Sequence, residues 1–230
     1  MKKRIQGNGL IIALAVITVF IFPWFFLRPA TGTALETAIS MGGLSLMLLG
    51  QIVRVSARGY KATFSRGGNT LLKTGPYALV RNPMYLGIVL VGVGVVVFLF
   101  NWWMVCVFLV VFIVRYTVLI AQEEKHLLLS FPDEYPRYRR SVARLMPSFA
   151  GMAKKDIVQY LPLQAPWLKK EAISISSMLL GVLLVKMWGV VVIQGWQGLV
   201  WQTALFLAVI CCFSLFVWWL NRRTKEQRVS

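Results

Sequence analysis

Two adjacent carboxylates, Glu123 and Glu124, are the side chains in this sequence best suited to chemistry. The chain of 230 residues contains only eight acidic residues, and this pair directly follows a long apolar run. An ionisable group at the boundary of a membrane span indicates a functional site. The pair predicts either a site for a cationic ligand or an ion pair that fastens two helices together, and the sequence leaves both interpretations open.

A second polar stretch, Arg81-Asn82-Pro83, precedes another apolar run and predicts the start of a helix. Pro83 suits the first turn, where its missing N–H costs nothing, and Asn82 is a favourable N-cap. The free N–H groups of such a helix end, together with the planar guanidinium of Arg81, favour an anion such as a ligand carboxylate. The alternative is that Arg81 only reaches a lipid phosphate and Asn82 only caps the helix.

A helical hairpin is expected to bring these two stretches together. The apolar runs Met84–Phe100 and Trp102–Ala121 are separated by little more than Asn101. Such a short connection requires the two helices to lie antiparallel, with their other ends side by side. The acidic pair is therefore expected next to the Arg81–Tyr85 stretch.

The composition is that of a membrane protein. Hydrophobic residues make up 58% of the chain and the mean hydropathy is +0.69, while charged residues make up only 14%. Soluble domains have about 25% charged residues. A spanning helix needs about 20 mostly apolar residues, and six runs qualify: Gly9–Leu27, Ala34–Val53, Met84–Phe100, Trp102–Ala121, Ala172–Ile193 and Leu199–Leu220. We therefore predict an all-α, polytopic bundle of about six transmembrane helices, the first being a retained span and not a cleaved signal peptide.

The net charge of +17 has a topological explanation. Most basic residues lie in residues 2–4, 54–83, 122–170 and 222–228, which fall on one side of a six-span bundle. The positive-inside rule then places both termini in the cytosol, in the inner (cytoplasmic) membrane. The positive charge is expected to face anionic lipid headgroups, so membrane lipids and not nucleic acid are the predicted partners.

Small and polar residues inside the predicted spans indicate helix packing. Glycines at six positions are typical of close helix contacts: Gly42, Gly43, Gly50, Gly87, Gly92 and Gly94. The ionisable residues Glu36, Arg115 and Lys186 lie near span ends or singly, and no inverted repeat is visible. These features argue against a transport subunit.

The three cysteines, Cys106, Cys211 and Cys212, lie in apolar runs without metal-ligand spacing. We expect them to be small buried apolar side chains, and we predict no metal site.

The segment from Phe131 to Pro147 alternates basic and aromatic residues with apolar ones. This pattern is typical of an interfacial segment on the membrane surface. It predicts either a solvated basic loop or a lid over whatever the hairpin binds.

Several motifs follow one another in order over about residues 40–150. They are Thr74-Gly75-Pro76-Tyr77, then Arg81-Asn82-Pro83-Met84-Tyr85-Leu86-Gly87, a helical hairpin, Glu123-Glu124, and finally Phe131, Tyr135, Tyr138, Val142 and Pro147. In this order they resemble the superfamily of isoprenylcysteine carboxyl methyltransferases and phospholipid N-methyltransferases.

The resemblance implies a methyltransferase that uses S-adenosylmethionine, lacks a Rossmann domain and takes a lipophilic substrate from the bilayer. It places Tyr77, Arg81, Asn82, Pro83 and Tyr85 in the cofactor pocket, Tyr135 and Tyr138 in a lid over the cofactor, and Glu124 with Glu123 at the reaction site. Glu124 is the candidate base if the acceptor is an amine or a hydroxyl. The implied organisation is an N-terminal helix pair (1–53), a methyltransferase core (54–150), and a linker with a C-terminal helix pair (151–230).

One departure and two alternatives accompany this prediction. Prenylcysteine enzymes usually have His where this chain has Asn82, which cannot titrate near neutral pH, and this argues against a prenylcysteine substrate. The first alternative is an NADPH-dependent enzyme resembling sterol reductases, but those usually have an acid where this chain has Ile88, and they lack the adjacent glutamates. The second alternative is a non-enzymatic membrane scaffold or transport subunit.

Overall fold

The computed structural model describes residue 18 and residues 21–147 and 157–229, and the fold of these residues is all-helical, as predicted. Leu27 and Phe100 form an isolated antiparallel bridge. Most of the predicted first span, Gly9–Leu27, lies outside the described residues. Its last part forms a short helix, Pro23–Phe26.

The helices in chain order are α1 Pro23–Phe26, α2 Ala34–Phe64, α3 Pro76–Leu79, α4 Pro83–Leu99, α5 Trp103–Ser130, α6 Tyr135–Ser141, α7 Ile157–Tyr160, α8 Ala165–Val191 and α9 Gln194–Glu226. The last helical stretch, Ala165–Val229, is divided into α8 and α9 at Gly195, whose φ of 69° is not helical. Four helices (α2, α5, α8 and α9) are long and apolar enough to cross a membrane, and α4 is a shorter apolar helix of 17 residues. These five helices coincide with the second to sixth predicted spans.

α2 and α5 continue well beyond their predicted ends. α2 ends at Phe64 and not at Val53, and α5 ends at Ser130 and not at Ala121. The 31 residues of α2 make a helix of about 46 Å, whereas the hydrocarbon core is roughly 30 Å thick. The predicted helices were too short because the end of an apolar run indicates where the bilayer ends, and a helix can continue beyond it. The acidic pair therefore lies on α5 itself.

The predicted hairpin of α4 and α5 is confirmed. Its turn at Asn101 is fixed by two hydrogen bonds to α1, in which the backbone N–H donates to Phe26 O and the side-chain amide donates to Phe25 O, each at 2.9 Å. The start of α4 and the last turns of α5 therefore lie at the same end of the bundle, where α2 also finishes. We call this the site end, and we call the end with residues 27–33 and 100–102 the loop end.

Glycines allow α2 and α4 to pack with their backbones in contact. A Cβ atom on Gly43 or Gly50 would lie within 2.8 Å of backbone atoms of α4. A Cβ atom on Gly87 or Gly94 would lie within 2.9 Å of backbone atoms of α2. The packing role predicted for these four glycines is confirmed, and the close contact fixes the register of α4 against α2.

The other small residues inside the spans divide differently. Gly92 packs against a phenylalanine ring of α5 as predicted, but the prediction for Gly42 is wrong because a Cβ atom there would meet open space. The prediction of buried cysteines is also wrong, since Cys106, Cys211 and Cys212 are all exposed on the protein surface. Lipid is as apolar as a protein interior, so a membrane helix can point such residues outward without cost.

The C-terminal helices α8 and α9 pack mainly on α2. Phe206 of α9 lies 5.3 Å from Phe98 of α4, ring centroid to ring centroid, in a buried cluster at the loop end. Nearby, Lys186 of α8 pairs with Glu36 of α2, which also accepts a hydrogen bond from Ser40 Oγ at 3.0 Å. Glu36 and Lys186 are both buried and pair with each other, so the expectation that they lie singly is wrong.

Candidate functional site

The Arg81–Tyr85 stretch and the acidic pair meet at the site end, as predicted. The Tyr85 hydroxyl donates to Glu123 Oε2 at 3.1 Å, and Arg81 Nη1 lies 3.1 Å from Glu124 Oε1. The ring of Tyr85 also packs edge-on against Tyr116 of α5, with centroids 5.3 Å apart. The hairpin places these residues together, because it brings the first turn of α4 beside the part of α5 that carries the acidic pair.

Glu124 is clamped between two arginines. Its side chain is buried, and its second partner, Arg144, donates from Nη2 to Oε2 at 2.6 Å and from Nε to Oε1 at 3.2 Å. Such a bidentate pair is strong and directional. The hydrogen bond to Glu124 raises the pKa of Arg144 above its usual value. Glu124 therefore fastens three segments of the chain, and the three charges leave one unit of positive charge at this place.

Glu123 has a different environment from its neighbour. Its side chain is 36% exposed, and its Oε1 lies 3.3 Å from Lys61 Nζ on the last turns of α2. Tyr85 holds the other oxygen. Of the two adjacent carboxylates, Glu123 is thus the one that remains accessible to a ligand.

A cavity of about 90 Å³ opens beside Glu123. It is lined by Lys61, Tyr77, Arg81, Asn82, Pro83, Met84, Tyr85 and Glu123. All five residues that the sequence placed in the cofactor pocket before the hairpin lie in this wall. Glu124, Tyr135 and Tyr138 are not part of the wall.

Asn82 occupies the N-cap position of α4, but its side chain does not cap the helix. Its amide Nδ2 instead donates to Arg144 O at 3.1 Å, and the backbone N–H of Arg81 donates to Ala143 O at 2.8 Å. The predicted capping bond is therefore wrong, because the side chain is turned toward the chain that returns after α6, where its amide nitrogen donates to a carbonyl. These two bonds attach residues 143–144 to the start of α4.

The two tyrosines predicted for the lid lie inside the protein. Tyr135 and Tyr138 are buried in a cluster with Leu71, and the Tyr138 hydroxyl donates to Tyr77 O at 2.6 Å. Burial is the main cause that raises the pKa of the Tyr138 phenol and of the Tyr77 phenol above the usual tyrosine value. Both phenols stay protonated at neutral pH, so α6 holds the wall of the cavity through a neutral hydrogen bond.

The loop before the site is pressed against α2. Gly75 has a φ of 60°, and a Cβ atom there would lie 2.7 Å from the ring of Tyr60. The Tyr60 hydroxyl lies 2.7 Å from Thr74 Oγ1. A left-handed backbone with no room for a side chain requires glycine, and this turn directs Tyr77 to the cavity.

A larger surface groove of about 450 Å³ lies near the loop end, lined by Trp196, Gln197, Val200, Trp201 and Ala204. Its lining contains no ionisable side chain, so it offers no group for acid–base or charge-pairing chemistry. Among the described residues, no group of three or more His, Cys, Asp or Glu side chains could hold a metal ion. The chemistry available in the described part of the chain is therefore concentrated at the site end.

Residues 38–134 match the family model described as phospholipid methyltransferase. Over this segment the chain is similar to the phospholipid methyltransferase family. That family is part of the superfamily of integral membrane methyltransferases that the sequence motifs indicated, so the predicted resemblance is confirmed. No curated protein and no solved structure matches the chain. The family assignment supports a membrane methyltransferase in general, and it favours neither a reductase nor a scaffold.

The methyltransferase-family segment covers α2 from residue 38 onward, the hairpin and both glutamates, but it ends at residue 134, earlier than the predicted end near residue 150. Tyr135, Tyr138 and Arg144 therefore lie outside the segment, although all three contact it.

Sequence reasoning did not identify three residues of the candidate site. Lys61 and Met84 line the cavity, and Arg144 clamps Glu124. The absence of proline between residues 54 and 64 was a signal that α2 could continue and carry Lys61 to the site. Nothing in the sequence distinguishes Arg144 from the other arginines of its basic segment.

Proposed function

We propose that the protein transfers a methyl group from S-adenosylmethionine to a lipophilic acceptor that reaches the site from the bilayer. One observation carries this proposal: Glu123 and Arg81 line the same cavity inside the methyltransferase-family segment. A carboxylate and a guanidinium in the wall of one cavity suit a ligand that carries both signs of charge.

The charges of the cavity complement those of the cofactor. S-adenosylmethionine carries a cationic sulfonium, a cationic ammonium and one carboxylate. Arg81 Nε is buried and makes no hydrogen bond among the described residues, so it can donate to a carboxylate while Nη1 keeps its contact with Glu124 Oε1. Glu123 is accessible to a cation, and Tyr85 fixes its orientation. The residues present therefore fit this cofactor, with Tyr77, Asn82 and Pro83 completing the wall.

The geometry supports different roles for the two glutamates. We assign to Glu123 the contact with the cofactor and, if the acceptor is an amine or a hydroxyl, the acceptance of its proton. Both oxygens of Glu124 are engaged by arginines, so we assign it the positioning of Arg81. We assign Tyr138, with Tyr135 beside it, the support of the Tyr77 backbone.

The reaction makes demands that these residues can meet. When bound, S-adenosylmethionine supplies an electrophilic methyl group, and its transfer is an in-line displacement that depends mainly on positioning and on exclusion of water. Tyr85 and Glu124 hold Glu123 and Arg81 in place before any ligand arrives. The cavity lies where α4 enters the bilayer, so an acceptor with an apolar tail can approach along the membrane plane.

We further propose that the site end faces the cytosol in an inner membrane, with both termini on that side. This orientation is supported by the basic residues that follow α2 and α5 in the sequence. A reporter fused after residue 230 that is active only in the periplasm should remain inactive, and an active reporter would contradict the orientation.

Binding and turnover test the proposed function directly. We expect calorimetry on the purified full chain to detect binding of S-adenosylmethionine and of its demethylated product, but not of NADPH. Glu123→Gln should weaken S-adenosylmethionine binding about tenfold, the effect of one charged hydrogen bond, whereas Glu134→Gln, outside the cavity wall, should not. Binding of NADPH alone would contradict the proposal.

The acceptor is identified by a second experiment. Labelled S-adenosylmethionine is incubated with the protein and a total membrane lipid extract, and the products are analysed by mass. We expect the label in a lipid fraction, and its absence from all lipid fractions would contradict a lipophilic acceptor.

A further inference from the structure

Lys61 closes the cavity from the side of α2. Its ammonium lies 3.3 Å from Glu123 Oε1, and both residues line the cavity wall. The carboxylate that would receive a cationic cofactor is thus paired with the protein's own lysine.

The cavity in this state is too small for the cofactor. Its volume is about 90 Å³, whereas pockets for ligands of cofactor size have volumes of about 300 Å³ or more. Some part of the wall must therefore move before S-adenosylmethionine can bind.

The Lys61–Glu123 contact is the part of the wall best able to open. Its side chains are 49% and 36% exposed, and exposed ion pairs contribute little to stability. The Arg81–Glu124 contact has side-chain exposures of only 10% and 8%, and Arg144 reinforces it. Separating that buried cluster would leave charges without partners, which is far more costly.

The side chain of Lys61 can move while its helix stays in place. The last turns of α2 are held in place by Glu171 of α8, which pairs with Arg54 at 3.1 Å and with Arg58 at 2.9 Å. Trp167 packs on Gly59 in the same region. The four-carbon stem of lysine, in contrast, has freely rotating bonds.

We propose that Lys61 is a charge-responsive latch that holds Glu123 in the closed state and yields it to the sulfonium of S-adenosylmethionine. This inference rests on the proposed function. Methyl transfer breaks the carbon–sulfur bond, its electron pair stays on sulfur, and the new bond forms from the methyl carbon to the acceptor. The sulfonium thereby becomes a neutral thioether, any proton that Glu123 took from the acceptor passes to water, and Lys61 regains the Glu123 carboxylate, which favours release of the product.

The latch makes a prediction about the ratio of two affinities. Lys61→Met removes the competitor for Glu123, so S-adenosylmethionine should bind about three- to fivefold more tightly, the range expected for an exposed ion pair. The demethylated product lacks the sulfonium, and its affinity should change by less than about twofold, because it gains less from the freed carboxylate. Calorimetry on the purified full chain measures both dissociation constants.

Two variants serve as controls. Lys61→Arg keeps the charge and should retain the wild-type ratio of affinities. Lys125→Met removes an exposed lysine two residues after Glu123 that lies outside the cavity wall, and it should also retain that ratio.

Several results would overturn the latch. Weaker binding of both ligands to Lys61→Met would show that Lys61 contacts the cofactor directly. An unchanged ratio of affinities would show that Lys61 does not distinguish S-adenosylmethionine from its demethylated product. An equal change of the affinity ratio in Lys125→Met would show that the effect comes from the overall charge of the protein and not from the position of Lys61. If the wild-type chain binds neither ligand, the proposed function fails together with the latch; if it binds both and only the ratio test fails, the proposed function stands.

Discussion

Each end of α2 carries an ion pair between a glutamate and a lysine, and the two pairs lie in opposite environments. At the loop end, Glu36 pairs with Lys186 of α8, with side-chain exposures of 6% and 4%. At the site end, Lys61 pairs with Glu123 of α5, with exposures of 49% and 36%. The same two residue types therefore meet once inside the protein and once at a cavity that opens to water.

The difference shows how environment assigns a role to a charge pair. Inside a membrane bundle, separating Glu36 from Lys186 would leave a buried charge without a partner, so the pair stays formed and holds α8 on α2. At the site end, water compensates either charge when the pair opens, so Lys61 and Glu123 can exchange partners. Glu124 resembles the buried pair although it lies next to Glu123 in the sequence, because its side chain faces two arginines inside the protein.

The largest effect is expected from breaking the buried pair. Lys186→Met leaves Glu36 buried without its partner and should destabilise the protein by about 3–5 kcal/mol, measured as the free energy of unfolding in detergent. The double variant Glu36→Gln/Lys186→Met removes both charges and should recover most of this loss. If the single variant loses less than about 1 kcal/mol of unfolding free energy, the value for an exposed pair, the ion pairs at the two ends of α2 do not differ in their contribution to stability.

The second effect concerns the buried member of the acidic pair. Glu124→Ala leaves Arg81 and Arg144 to repel each other, so the start of α4 loses its position and turnover should fall by about 100-fold or more, as for other displaced catalytic constellations. The initial rate with labelled cofactor and lipid extract measures this. Glu134→Ala, a nearby exposed glutamate paired with Lys73, is the matched control and should retain near-normal turnover. Equal losses in the two variants would show that burial of Glu124 is irrelevant.

The smallest effect is expected at the support of the cavity wall. Tyr138→Phe removes one hydrogen bond and should cost about 1 kcal/mol of stability. Because the folded state raises the pKa of Tyr138, its contribution is complete below the usual tyrosine pKa of about 10 and is lost as the pH rises through the folded pKa. Unfolding measured between neutral and strongly alkaline pH should therefore show a weaker loss of stability in Tyr138→Phe than in the wild type. An identical pH dependence would exclude Tyr138 from this role.

The architecture was largely predictable because apolar run length and turn length are local properties. The hairpin of α4 and α5 followed from the single residue between two apolar runs, and its closure brought Arg81 close to the acidic pair. The glycines inside the spans predicted close helix contacts, and the structure places Gly43 and Gly94 where α2 packs on α4. Each of these inferences depends on a pattern within one apolar run or on the short turn between two runs.

What the sequence did not reveal depends on residues far apart in the chain or on the medium around them. Glu36 and Lys186 are 150 positions apart, and no local pattern relates them. The clamp on Glu124 requires knowing where the chain returns after α6, which also decided the hydrogen bond of Asn82. The continuation of α2 to Phe64 placed Lys61 at the site, and it also means that the predicted division between residues 53 and 54 falls within one helix.

The attachment of α8 to both ends of α2 has a consequence for any attempt to shorten this protein. The family segment spans residues 38–134, but Arg54 and Arg58 within it pair with Glu171, well beyond its end, and Glu36 just before it pairs with Lys186. A fragment that ends at residue 134 would leave the Glu36 carboxylate and the guanidinium groups of Arg54 and Arg58 without these partners. We therefore expect the smallest fragment that folds to be larger than the family segment, because the C-terminal helices stabilise the helix that carries Lys61.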